Sequence, residues 1–126
     1  MANILITEFM DSKQVERLSL EHNVRYEPEL YLDSKALLDK SVNVNALIVR
    51  NKTKVDKELL EAIRDLKVVG RLGVGLDNID ISYCKEKKMP VVIAEGANAK
   101  SVSEYVMMGL LTLFRGTMSS TGSILS

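Results

Sequence analysis

The chain has 126 residues, enough for one domain with a real core and too few for two. Seventeen basic and seventeen acidic residues cancel, which argues against a nucleic-acid platform or a binder of anionic membranes. Apolar residues make up 46% and charged residues 27%, both ordinary for a globular protein. The single Cys84 excludes an internal disulfide and a thiolate–metal cluster and fits a reducing cytoplasm. No basic leader followed by an apolar segment opens the chain, so no signal peptide is expected. The longest apolar run, 105–114, is shorter than the roughly 17–25 residues of a membrane span.

In chain order, Asn3-Ile-Leu-Ile6 is a short buried strand. Asp11-Ser-Lys-Gln14 then reads as a capping box, with Gln14 reaching back, and Val15 and Leu18 supply the apolar stripe of the helix it opens. Asn23-Val-Arg-Tyr26 is a weaker second strand, and a short helix carrying Leu37 and Leu38 starts near Asp33 or Ser34. Ala46-Leu-Ile-Val49 is the third strand. Val55, Leu59 and Ile63 recur every four residues along a helix that begins near Asp56. Val68-Val69 is the fourth strand, 79–87 a helix, and Pro90-Val-Val-Ile93 the fifth strand. A second capping box, Ser101-Val-Ser-Glu104, opens the longest helix, 101–115. The polar tail 116–126 carries no closing element and reads as a cut edge.

This alternation, with nearly continuous Val/Ile/Leu strands, predicts an α/β fold: a doubly wound, parallel, five-stranded sheet of flavodoxin-like order 2-1-3-4-5, with a long carboxyl-terminal helix. Ligands of such sheets sit beyond the carboxyl ends of the strands. Arg50, the loop from Gly73 to Gly75, and the segment from Glu95 to Asn98 follow the third, fourth and fifth strands, so one mouth can collect all three. From Tyr105 to Phe114 this last helix has no polar face, so more than the sheet must cover it: a second domain or another copy. A two-fold homodimer through this helix is expected.

Gly70, Gly73 and Gly75 allow a sharp turn that leaves main-chain N–H groups bare, and successive bare N–H groups form a concave anion site. A dinucleotide fingerprint fails here. Counted from Gly73 the third glycine would stand where Asn78 is, and counted from Gly70 the second would stand where Leu72 is. A plain strand-to-helix turn with Asp80 as N-cap is the alternative. Arg50 offers a planar fork for a carboxylate or phosphate, or else pairs with a neighbouring acid. Asn98 can bond a carbonyl or hydroxyl, or simply turn the chain, and Ser101 reads better as a cap than as a ligand contact. His22 lies in a polar turn and reads as a solvated loop residue. Cys84 has no histidine placed to activate it and reads as a small core residue. No acid–base pair, triad or metal site can be assembled.

Three stretches carry a resemblance. Ala46-Leu-Ile-Val-Arg-Asn-Lys-Thr-Lys54, Val69-Gly-Arg-Leu-Gly-Val-Gly-Leu-Asp-Asn-Ile-Asp80 and Gly96-Ala-Asn-Ala-Lys-Ser-Val-Ser-Glu-Tyr105 resemble, in order, the amino-terminal region of the NAD-dependent D-2-hydroxyacid dehydrogenases, phosphoglycerate dehydrogenases in particular. The resemblance implies a substrate domain (1–100), an interdomain and dimerisation segment (101–126), and a Rossmann domain that this chain lacks. By motif position, the main chain of Val74 and Gly75 would hold the substrate carboxylate, with Gly73 counted among the substrate-binding residues. Asn98 would face the substrate and Arg50 its distal anion, while Val74 and Val102 would lie near the nicotinamide of NAD or NADP. The family's catalytic Arg, Glu and His belong to the missing half, so the chain alone is expected to be inactive and to bind no cofactor. Ala94-Glu-Gly96 departs from the proline-containing turn common in the family.

A stand-alone flavodoxin-like binding, regulatory or protein-interaction module is the alternative. A phosphoreceiver would need an aspartate where Val49-Arg50 stands, and a flavin module a glycine loop where Thr7-Glu-Phe-Met10 stands.

Overall fold

The computed structural model describes residues 2–73, 75–93 and the backbone of 124–125. The strands are β1 (Asn3–Ile6), β2 (Asn23–Tyr26), β3 (Ala46–Val49), β4 (Val68–Arg71), β5 (Val91–Ile93) and β6 (Ile124–Leu125). The helices are α1 (Ser12–Ser19), α2 (Ser34–Lys40), α3 (Lys57–Ala62) and α4 (Ile81–Glu86). The sheet order is β2-β1-β3-β4-β5-β6, with the first five strands parallel as expected. β6 was not anticipated: it pairs antiparallel with β5, Val91 opposite Leu125 and Val92 opposite Ile124. The predicted helix 101–115 lies outside the described residues.

Every side chain of β3 is buried, because the strand is central and covered on both faces. Successive strand residues point to opposite sides. Leu5, Leu47, Val49, Val69 and Val91 therefore join one core cluster, which Leu37, Leu59, Leu60 and Cys84 of α2, α3 and α4 complete. Ile4, Ile6, Ala46, Ile48, Val68 and Val92 join the other, with Leu18 of α1. Each large side chain so buried contributes roughly 1.5–3 kcal/mol. Helices on both faces make the sheet doubly wound.

Each helix starts just after an aspartate. The carboxylates of Asp11, Asp33, Asp56 and Asp80 accept the N–H groups of Lys13, Ala36, Leu59 and Tyr83, bonding donors that the first helical turn leaves open. The box expected at α1 is only half made. Gln14 is buried and its Oε1 has no partner among the described residues, so it does not reach back to Asp11.

Three other expectations change. Gly70 lies inside β4, paired with Ile48 and Val92, and takes no part in the turn. Ile79 precedes α4 and forms a parallel bridge with Val55, tying the β3–α3 loop to the β4–α4 loop. His22 is half-buried, not solvated: its Nδ1 accepts the N–H of Ala2 at 3.1 Å, pinning the start of β1.

Candidate functional site

The loops that follow β1, β3 and β4 emerge at one end of the sheet, and three polar side chains lock them together. The first is Glu8, just past β1 and only 3% exposed. Its Oε2 accepts the N–H of Arg50 at 2.7 Å, the N–H of Thr53 at 3.0 Å and the Thr53 hydroxyl at 2.8 Å. Its Oε1 accepts the N–H of Lys52 at 2.9 Å. The turn after β3 is thus wound around a carboxylate. The second is Asn78, whose Nδ2 donates to the carbonyls of Arg50 (2.7 Å) and Thr53 (2.8 Å).

The third is Arg71, the last residue of β4 and itself buried. Its Nε donates to the Gly75 carbonyl at 2.5 Å and its Nη1 to the Leu72 carbonyl at 2.8 Å. The guanidinium fork therefore closes the glycine loop from inside. Gly73 has φ 132°, a conformation that only glycine adopts readily. A Cβ built there would lie 2.7 Å from Arg71 Nη1. Gly75 has no such backbone demand. Its Cβ would stand 3.3 Å from Arg71 Nη2, a tight contact but not the clash met at Gly73.

Electrostatics follow the same layout. Burial pushes the Glu8 carboxyl up, but the hydrogen bonds from Thr53, Arg50 and Lys52 outweigh it and leave the pKa below the ordinary 4.5. Burial lowers the Arg71 pKa, with nearby Glu8 opposing and nearby Arg50 adding to the fall. The guanidinium groups of Arg50 and Arg71 thus share this end of the sheet with the carboxylates of Glu8 and Asp77. Burial, with Asp80 adding to it, pushes the Cys84 thiol up, consistent with an inert core residue.

A depressed Glu8 pKa makes folding sensitive to acid. The unfolded chain binds a proton near 4.5 that the folded one refuses. The resulting stabilisation is complete above that value and is lost as pH falls through the lower, folded value. Thermal melts between pH 6 and 3 are expected to fall more steeply for the wild type than for Glu8→Gln. Parallel curves would show that Glu8 is not ionised in the native state.

Of the residues singled out from sequence, Arg50 stands exposed just past β3, with no hydrogen bond or ion pair to its guanidinium among the described residues. The expected alternative, pairing with a neighbouring acid, is not seen there. Gly73 and Gly75 lie in the loop after β4, the next strand over: Val49 pairs with Arg71, and the Leu72 N–H donates to the Val49 carbonyl at 2.9 Å. The Gly73 N–H is already engaged by the Arg71 carbonyl at 3.1 Å and is not a bare donor. Val74, Asn98, Ser101 and Val102 lie outside the described residues. Glu8, Arg71 and Asn78 were missed. Their signals were weak: an acid directly after an apolar strand, an arginine directly after a strand glycine, and an asparagine in a turn.

Among the described residues no group of three His, Cys, Asp or Glu side chains could hold a metal, and no helix is long and apolar enough to cross a membrane. Residues 4–124 match the family described as D-isomer specific 2-hydroxyacid dehydrogenase, catalytic domain. The chain is 47% identical, over its whole length, to (S)-sulfolactate dehydrogenase of Chromohalobacter salexigens, and spans 41% of that protein. It is 36% identical to D-3-phosphoglycerate dehydrogenase of Methanocaldococcus jannaschii over 98% of the chain and 23% of the relative. The chain thus spans less than half the length of either relative. The NAD+-bound 3-phosphoglycerate dehydrogenase of Entamoeba histolytica shares the fold over 97% of this chain and 42% of its own, at 24% identity and TM-score 0.67. The PH0520 protein of Pyrococcus horikoshii does so over 95% and 39%, at 22% identity and TM-score 0.70. With a family match spanning nearly its whole length, this chain belongs to the D-isomer-specific 2-hydroxyacid dehydrogenases, and the part of them it represents is the catalytic domain.

Proposed function

We propose that this chain is the substrate-binding part (1–100) and the interdomain segment (101–126) of a cytoplasmic, NAD- or NADP-dependent dehydrogenase that interconverts a small anionic 2-hydroxy acid and its 2-oxo acid. The main chain of Val74 and Gly75 holds the substrate carboxylate at the loop that Gly73 turns, Asn98 contacts the substrate, and Val74 and Val102 flank the nicotinamide. Arg50 meets a second anionic group at the far end of the substrate. Sulfolactate and phosphoglycerate, named for two relatives, are both 2-hydroxy acids with such a group. Association as a homodimer through 101–115 completes the reading.

The observation that carries it is the exposed guanidinium of Arg50, without a hydrogen-bond or ion-pair partner among the described residues, one strand away from a glycine loop stapled from within by Arg71. Because each peptide plane is trans, drawing the Gly75 carbonyl toward Arg71 leaves the following N–H, of Leu76, pointing the opposite way. Arg71 thus leaves the Leu76 N–H facing outward, which suits an anion.

The described residues do not form a cradle for the cofactor. Glu8 occupies the turn after β3, and α4 begins only at Ile81, a full turn beyond the glycines. When bound in the intact enzyme, the nicotinamide supplies the hydride acceptor. The work of this chain is to bind, orient and discriminate.

In the full-length enzyme, Arg50→Ala is expected to lower kcat/KM for a dianionic acid such as sulfolactate by about tenfold or more. That corresponds to one lost charge-assisted contact of roughly 1.5–3 kcal/mol. Lactate, with no distal charge, should lose much less. Equal losses on the two substrates would make Arg50 a structural residue.

A further inference from the structure

We infer that Glu8 is a positioning residue that sets discrimination for dianionic substrates by fixing the main chain of Arg50; the inference rests on the reading of Arg50 given above. Both main-chain groups of Arg50 are held by side chains from other loops. Its N–H donates to Glu8 Oε2 at 2.7 Å and its carbonyl accepts from Asn78 Nδ2 at 2.7 Å. These two bonds fix the peptide planes on either side of Arg50 and with them the direction in which its side chain leaves the backbone. The guanidinium itself is exposed and has no partner among the described residues. A residue clamped at its root and free at its tip is prepared for a ligand, because little ordering is left for the ligand to impose.

The acceptor at the root has to be a carboxylate. Both Glu8 oxygens face donors: the N–H groups of Arg50 and Thr53 and the Thr53 hydroxyl at one, the N–H of Lys52 at the other. Glutamine would keep the shape but set an NH2 group against an N–H, so one side of the turn would have to open. Thr7 reinforces the arrangement, since its hydroxyl lies 2.7 Å from that of Thr53. Glu8 is too deeply buried to reach a substrate, so it acts only through the turn it holds.

The test compares Glu8→Gln, Arg50→Ala and the double variant in the full-length enzyme, with sulfolactate as the dianionic probe and lactate as the monoanionic one. Glu8→Gln is expected to raise KM for sulfolactate about tenfold, with a rise at least five times that for lactate. The double variant should discriminate no worse than Arg50→Ala, since coupled residues are not additive. Hydrogen exchange over residues 50–53 should quicken in Glu8→Gln, a readout independent of catalysis. If Glu8→Gln does not fold, Asn78→Ala loosens the same turn from the outside and should move both readouts in the same direction. If Arg50→Ala discriminates and the variants of its two clamps do not, the inference is overturned and the reading of Arg50 stands. If Arg50→Ala affects both substrates equally, the two fall together.

Discussion

Gly73→Ala is expected to cost roughly 2–4 kcal/mol and to abolish productive binding of 2-hydroxy acids in the full-length enzyme, whereas Gly75→Ala should cost under about 1 kcal/mol. The two glycines are two residues apart, yet their surroundings differ. At Gly73 the backbone has φ 132°, where a residue with a Cβ is strained by about 1–3 kcal/mol. The new methyl would also lie 2.7 Å from Arg71 Nη1. That nitrogen cannot simply swing aside, because it donates to the Leu72 carbonyl while Nε holds Gly75. The strain therefore spreads into the staple. At Gly75 the methyl meets, among the described residues, only Arg71 Nη2, at 3.3 Å, and the residue is exposed. Chemical denaturation of the two variants side by side measures the difference. Equal losses, or a larger one at Gly75, would mean that the loop takes another conformation.

Arg71→Met should be nearly as damaging, and Arg71→Lys should recover little of the loss. Methionine fills the space but leaves the carbonyls of Leu72 and Gly75 without their donor. An unsatisfied buried carbonyl, here that of Leu72, costs roughly 1–3 kcal/mol. The substitution also removes a positive charge that interacts with the buried Glu8 carboxylate. Lysine restores charge at one point but cannot present two donors in a fixed plane, so it can hold one carbonyl and not both. Unfolding free energy and kcat/KM should fall together for both variants, because the loop is held by the same group that stabilises it. Full recovery in Arg71→Lys would show that charge matters here and geometry does not.

What could be read in the sequence was whatever repeats locally. Ala46–Val49 and Asn23–Tyr26 fall where their apolar patterns put them, and Asp33 and Asp56 cap the helices they precede. The strand order followed from the β/α alternation, since parallel neighbours need crossovers of one hand. The supports of the site were not legible because their partners are distant in sequence. Glu8 bonds residues 42 to 45 positions away, and Asn78 reaches back 25 and 28. No local period announces such a bond. Arg71 was hidden differently: its partners are one and four residues away, but an arginine beside glycines reads as a ligand-facing or surface residue until its burial is known. Gly70 and Gly73 are indistinguishable by type, and only the sheet register shows that one is a strand residue and the other the turn.

The central claim is that this end of the sheet receives the substrate, carboxylate on the glycine loop and distal anion on Arg50. A crystal structure of the full-length enzyme with sulfolactate and oxidised cofactor tests it most directly. The account predicts the sulfolactate carboxylate within about 3.2 Å of main-chain N–H groups between residues 74 and 76, and the sulfonate within the same distance of the Arg50 guanidinium. It also predicts Glu8 still bonded to the N–H of Arg50. A sulfolactate bound with its carboxylate away from the glycine loop, or with its sulfonate facing no atom of Arg50, would contradict the account.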